Sequence, residues 1–190
     1  MNQTLDHLLT SRLKLRRWID SDREPFARLN ASSEVMRYFP KLLTGEESNA
    51  VVDKITSHFD KHDFGLWAVE LLDSGEFIGF VGLQNVGMQT HFTPCVEVGW
   101  RLLSEFWGQG YAVEAAQAAM TDGFTRLQLP EIISMTSLLN TPSIRVMQKL
   151  EMVRNEAEDF DHPGLASDSK LCRHLLYRLR ADAANWSQGE

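Results

Sequence analysis

Gly108-Gln109-Gly110 stands between a strand-like pattern, Val96 to Leu102, and an alanine-rich helical pattern that opens at Tyr111. No other stretch limits the fold so sharply. Glycine reaches backbone conformations that other residues avoid, so two of them around one residue let a chain turn abruptly. A strand handed to a helix through such a turn leaves the first N–H groups of that helix converging on one spot. Those donors, with the helix dipole behind them, can cradle a phosphate group. The helical pattern runs to about Leu127 with Ala112, Ala115, Ala116, Ala119 and Met120, small residues on one face that allow close packing against a sheet. Taken alone, the junction is equally an ordinary glycine turn.

The flanking segments supply that sheet. Thr10 to Arg16 alternates polar and apolar residues, the period of a half-buried strand, with Arg12, Lys14 and Arg16 on its wet side. Asp20-Ser21-Asp22 offers N-cap oxygens to a helix with Pro25 in its first turn and Phe26 and Leu29 on its apolar side. Ser32-Ser33-Glu34 predicts a second, short helix through Met36 and Tyr38, stopped near Pro40. Thr44-Gly45-Glu46-Glu47 has the capping-box pattern, and Val51, Val52, Ile55 and Phe59 mark one face of the helix after it. Leu66 to Leu71 and Phe77 to Leu83 flank a turn at Asp73-Ser74-Gly75-Glu76 and predict a hairpin. In the next strand Gly99 predicts a bulge or a close backbone approach. After Leu129-Pro130 come a strand at Ile132 to Ser137, a helix from Ser143 to Leu150 and a last strand at His174 to Arg180. That order predicts one mixed α/β domain over 1–190, with its core at about 10–180 and a frayed tail at 181–190.

Several functions are excluded or disfavoured. A formal net charge of -7 repels phosphate backbones, so nucleic acid is an unfavoured partner. Cys95 and Cys172 are the only cysteines and neither has a CxxC partner, which argues against a disulfide framework and a cysteine metal site. His58 and His62 have helical spacing but no HExxH glutamate between them, so the expectation is a solvated face and no metal. No apolar run reaches the length of a membrane span and no signal peptide is visible; the expectation is a cytoplasmic protein with no membrane partner. The dinucleotide fingerprint needs a third glycine where Val113 stands. Gly82 and Gly87 have Walker spacing, but Met88 and Gln89 replace its lysine and hydroxyl.

Together the landmarks resemble the GNAT superfamily of acyl-CoA N-acetyltransferases, and within it the ribosomal-protein N-terminal alanine and serine acetyltransferases. They are Thr10 to Arg16, Glu34-Val35-Met36-Arg37-Tyr38, Gly75 to Gly79, Glu97-Val98-Gly99-Trp100, Phe106 to Ala115, and Asn140 to Val146, which together reach from Thr10 to about Met152. The resemblance implies a strongly twisted mixed sheet of six to seven strands and acetyl-CoA as cosubstrate. It also implies direct transfer to an amine: a protein N-terminus, or a small amine such as an antibiotic, polyamine or amino acid. A CoA-binding sensor on the same fold is the alternative. Relatives often dimerise, so monomer and homodimer both stay open.

The resemblance assigns residues as well. Backbone amides of Gly108, Gln109, Gly110, Tyr111 and Ala112 would hold the pyrophosphate, and Trp100, Arg101 and Leu102 would pair with the pantetheine arm like an added strand. Asn140 matches a cofactor-contacting asparagine, though it also suits a plain helix N-cap, and Ser143 would lie near the sulfur. An ammonium has no lone pair, so a general base is required; Glu97, mid-strand among apolar neighbours, is the candidate, with ion pairing to Arg101 or a solvent-facing position as the bland alternatives. Three positions depart from the family pattern: Glu105 where Gln or Arg opens the phosphate loop, Met147 where many relatives carry a proton-donating tyrosine, and Glu151 where a glycine is common. The acidic run Glu156, Glu158, Asp159 and Asp161 is expected either to be a solvated loop or to draw in a cationic amine.

Overall fold

Leu13 and Leu15 are fully buried while Lys14 and Arg16 between and after them keep access to solvent, so the alternation near the N-terminus is indeed that of a strand. The computed structural model describes residues 5–183; the part of the expected frayed tail at 184–190 lies outside the described residues. Nine strands and four α-helices follow in the order β1 (His7–Leu9), β2 (Leu13–Arg16), α1 (Arg23–Ala31), α2 (Gly45–His62), β3 (Leu66–Leu71), β4 (Phe77–Asn85), β5 (Val96–Leu102), α3 (Tyr111–Thr125), β6 (Glu131–Ser137), α4 (Thr141–Lys149), β7 (Val153–Arg154), β8 (Phe160–Asp161) and β9 (Arg173–Arg180). They form one mixed sheet in the order β1-β2-β3-β4-β5-β6-β9-β7, with β8 also on β9. The count exceeds the six to seven expected because β1, β7 and β8 are only three, two and two residues long. No helix among the described residues is long and apolar enough to cross a membrane.

Local chemistry explains most of these elements. Thr44 and Glu47 form the expected capping box, and Asp63 ends α2 in a left-handed conformation. Asp22 precedes α1 without capping it, because its carboxylate instead takes two bonds from the Arg16 guanidinium and one from the Ile19 N–H. The short helix expected at Ser32 to Tyr38 is a chain of turns, with Val35 and Met36 tucked into the core. Two buried residues so close together demand a tight local fold, and Pro40 leaves no room for a second helical turn.

On β4 the side chains sort by parity. Phe80 meets Phe26 of α1 edge-on at 5.9 Å, while Leu83 reaches Gly123 of α3, so the two helices lie on opposite faces. A Cβ at Gly123 would stand 2.8 Å from Leu83 and 2.9 Å from Ile132, which is why α3 needs small residues there. The expected irregularity is displaced by one strand. Gly79, not Gly99, sits beside the register shift between β3 and β4, with φ of 138° and its missing Cβ pointing 2.2 Å from the Arg101 carbonyl oxygen. At Gly99 the register with β4 is regular and an added Cβ would meet nothing closer than Glu97 Oε1 at 3.9 Å.

Candidate active site

Among the described residues β5 and β6 are the one parallel pair in the sheet, and they are in register at a single pair of residues, Glu97 and Ile133. Parallel neighbours need a crossover, here α3, and the chain leaves β5 for it through Ser104 to Gly110. From residue 98 onward the edge of β5 that faces β6 has no ladder partner, so a wedge opens between two central strands. At its wide end lies the glycine turn. Gly108 and Gly110 take φ of 75° and 86°, and Gly110 is the N-cap of α3. An added Cβ at Gly108 would meet nothing within 4 Å. Gly108, Gln109 and Gly110 are exposed, and Tyr111 and Ala112 behind them half-buried, so the first-turn N–H groups of α3 are open to a ligand. Glu105 is exposed, and its carbonyl oxygen accepts a bond from Gln109 Nε2 at 3.2 Å.

A residue from the far end of the chain braces this turn. Arg12 donates from Nη1 to the Gln109 carbonyl at 3.1 Å, pairs with Glu114 of α3 and stacks over Tyr111 at 4.5 Å. Glu114 also accepts from Thr10 and Ser11. Burial pushes its carboxyl up, but the bonds from Thr10, Arg12 and Ser11 prevail and hold it below the usual carboxylate range. Strand alternation assigned Arg12 to a wet face; its partners lie about a hundred positions away and leave no local signal.

At the narrow end stands Glu97. Directly opposite it on β4 is Gln84, whose Nε2 donates to Glu97 Oε1 at 2.6 Å. Oε2 is shut off from solvent and has no partner among the described residues. Burial disfavours the charged form more than the Gln84 bond restores it, and the pKa rises to about 7. No ion pair with Arg101 forms: the two residues are four positions apart on one face, and Arg101 turns away to donate to Asn30 Oδ1 of α1 at 2.5 Å. Cys95, two residues before Glu97, has its thiol pushed up to about 11 by burial and by the Glu97 charge.

The far wall of the wedge is α4. Asn140 is its N-cap, accepting from the Ser143 N–H at 3.3 Å, while its Nδ2 donates to Thr136 at 2.9 Å. Both ends of that amide are therefore engaged within the protein. Ser143 bridges the gap, its Oγ accepting from Trp100 Nε1 of β5 at 3.3 Å. Met147 is fully buried in the core. Leu102 is buried, and its carbonyl accepts from Trp107 Nε1 at 2.9 Å.

Two other expectations change. Within the acidic run Arg178 holds Glu158 and Arg154 holds Asp159, while Glu156 and Asp161 stay exposed to solvent beside Arg154 and Arg173. His58 is no solvated face. Its Nδ1 lies 2.8 Å from the Phe64 carbonyl, its Nε2 accepts from the Asn85 N–H at 3.2 Å, and the ring packs against Phe64. Among the described residues no group of three or more His, Cys, Asp or Glu is gathered to hold a metal ion.

Residues 12–153 match the family described as Acetyltransferase (GNAT) domain. The chain belongs to the GNAT family. It is thereby an acetyl-CoA-dependent acyltransferase, and a wedge that ends in a glycine-turned helix N-terminus suits that ligand. An uncharacterized N-acetyltransferase YnaD from Bacillus subtilis (strain 168) is 34% identical over 151 residues, covering 78% of this chain and 83% of that protein. A GNAT family acetyltransferase from Bacillus anthracis superposes with a TM-score of 0.77 at 25% identity, covering 93% of this chain and 99% of that one. RimL, a ribosomal L7/L12 alpha-N-protein acetyltransferase solved in complex with coenzyme A, superposes at 0.75 with 16% identity, covering 94% and 100%, and so shares the fold.

Proposed function

We propose that this GNAT chain moves the acetyl group of acetyl-CoA directly onto a primary amine, with Glu97 as the general base. The observation that carries the reading is the Glu97 carboxyl: a titrating group near pH 7, one oxygen held by Gln84 and the other unpaired, at the point where β5 and β6 part. Acetyl-CoA supplies the activated thioester. A base that titrates near working pH takes a proton from an ammonium without holding it too tightly. Gln84 fixes the direction in which the free oxygen faces. The amides of Gly108 to Ala112 bind the pyrophosphate, and the unpaired edge of Trp100 to Leu102 receives the pantetheine amides. A backbone N–H on that edge polarises the thioester carbonyl. Asn140, with both amide ends engaged, acts as the cap that seats α4 rather than as a direct ligand. Ser143, whose Oγ accepts from Trp100 Nε1 of β5, protonates the departing thiolate in this reading; Met147, buried, takes no part.

The acceptor is a protein N-terminus or a small amine. The shared fold with RimL supports the first, while the partly exposed stretch of β5 around Gly99 suits either. One observation favours a second reading, a CoA sensor: Met147, at the position where the family resemblance implies a tyrosine acid, is fully buried and has no proton to donate. Turnover of acetyl-CoA against an amine panel decides between them, with Glu97→Gln as control and acetyl-CoA thermal stabilisation as the binding readout. Stabilisation without acetylated product across the panel would select the sensor, and no stabilisation by any CoA species would remove both.

A further inference from the structure

Three buried side-chain polar atoms among the described residues lack a hydrogen-bond partner: Thr90 Oγ1, Glu97 Oε2 and Arg101 Nε. Two of the three lie on one face of one strand. Glu97, Gly99 and Arg101 alternate with the core-facing Val98, Trp100 and Leu102, and across the ladder they oppose Gln84, Gly82 and Phe80. All three keep partial access to solvent, although the β4 residues opposite Gly99 and Arg101 are buried. Between the two orphaned atoms the strand carries a glycine over open space, and Glu97 Oε1 leans over it at 3.9 Å from the position of a Cβ. The Arg101 Cα lies two residues, about 7 Å, further along the strand.

Arg101 itself is an unusual cation. Its guanidinium sits 4.0 Å from the Phe39 ring and 5.4 Å from the Phe80 ring, and its hydrogen bond goes to a neutral amide, Asn30. Asn30 is fully buried and held in turn to Ser48 of α2 at 2.9 Å. No acidic side chain among the described residues offsets the charge, and burial lowers its pKa to about 10. A buried guanidinium without a carboxylate is costly, and the rule that buried charges are paired makes it a group waiting for an anion. The other half-buried arginines of the sheet, Arg16, Arg154 and Arg178, each hold two carboxylates. Arginine presents a planar fork that matches a carboxylate with two parallel bonds, and it stacks well on aromatic faces such as those of Phe39 and Phe80.

We propose that Arg101 sets acceptor specificity: its guanidinium binds a carboxylate on the same molecule whose amine faces Glu97. The amine half rests on the acyl-transfer reading above, but the carboxylate half does not. The acceptor class is then an amine bearing an anionic group, either a free amino acid or a peptide N-terminus with an acidic residue nearby. A polyamine, cationic at every position, meets repulsion at this end of the face.

The test uses matched pairs on the full-length protein loaded with CoA. Omega-amino acids of two to six carbons and their primary amides form one arm, and Ser-Asp-Gly-amide against Ser-Asn-Gly-amide forms the other. Binding is read by calorimetry and transfer by kcat/KM with acetyl-CoA. The expected result is a preference of tenfold or more for the carboxylate member of at least one pair. The arm in which it appears identifies the source of the carboxylate, and the best chain length measures the spacing. Arg101→Gln reduces that ratio to within twofold of unity, and Arg101→Lys retains part of it. Should Arg101→Gln fail to fold, the wild-type ratios and Arg101→Lys decide. Equal binding of every pair by the wild type, or a preference that survives in folded Arg101→Gln, overturns the proposal. Carboxylate-dependent binding without acetylated product would refute the transfer reading and leave this one standing; turnover indifferent to the carboxylate does the reverse.

Discussion

Replacing Glu97 by glutamine should make the protein more stable as it makes it less active, and the pH dependence of both effects is set by the same group. The folded-state pKa of Glu97 is raised from 4.5 to about 7. The native protein therefore holds this proton more tightly than the unfolded chain does. Between those two values the unfolded state releases the proton first, so stability falls as pH rises through that window. A tenfold shift in proton affinity is about 1.36 kcal/mol, so the accumulated loss above pH 7 is roughly 3 kcal/mol. Glutamine keeps an acceptor for Gln84 and cannot ionise, so it escapes that loss. Below pH 4 to 5 the two proteins should melt together. At pH 8 the variant should melt higher by roughly 6–12 °C, taking about 2–4 °C per kcal/mol for a chain of this size. The assay is Tm by calorimetry at half-unit steps from pH 4 to 9, without ligand, for wild type and Glu97→Gln. In parallel, kcat/KM of the wild type should rise through pH 7 as the base ionises, and the variant should lose about 10²–10⁴-fold. Melting curves that stay parallel across the whole range would refute the argument, because they would mean that Glu97 keeps an ordinary carboxylate pKa.

Gly110→Ala places a Cβ on a residue with φ of 86°, a backbone strain of about 1–2 kcal/mol that falls on the cap of α3; Tm should drop modestly while the Kd for CoA, measured by calorimetry, rises at least several-fold. Asn30→Ala strands Ser48 and Arg101 together, and should cost about 2–3 kcal/mol in urea denaturation, more than an exposed asparagine would. Glu114→Gln should cost about 1 kcal/mol at pH 7, a small value because the site is partly exposed. Since the native carboxyl is held below its ordinary value, that stability is present at neutral pH and fades as pH falls through the lowered pKa, so the Tm difference from wild type should shrink toward pH 3.

The elements most legible in the sequence were those whose signals are local. Thr44 and Glu47 are three residues apart and satisfy each other, and the hairpin at Asp73 to Glu76 closes on itself. The strand pattern of β5, Val96 to Leu102, was equally readable. What it lacked was the company each side chain keeps. Gln84 reaches Glu97 through the register of β4 on β5, Asn30 draws Arg101 toward α1 from 71 positions away, and Arg12 crosses 97 positions to Gln109. β1 leaves no signal because three residues carry no period. The false helix at Ser32 to Tyr38 had a capping signal with too few residues behind it, and tertiary burial of Val35 and Met36 shaped the segment instead.

The single register point between β5 and β6 also bears on how the protein behaves before it meets a ligand. A strand edge is normally a problem of the sheet's periphery, managed with charges, bulges or short strands. Here the edge of β5 beyond Glu97 lies in the middle of the sheet without a strand partner, and among the described residues only Trp107 Nε1 reaches it, at the Leu102 carbonyl. The sheet is in effect two panels, β1 to β5 and β6 to β9, laced at Glu97 and Ile133 and otherwise joined through α3 and side-chain packing. A ligand whose amides complete the ladder from Trp100 to Leu102 would act as the missing lacing as well as the substrate. Amide hydrogens on that edge should then be the quickest of the central sheet to exchange, and the ones most slowed when CoA is added.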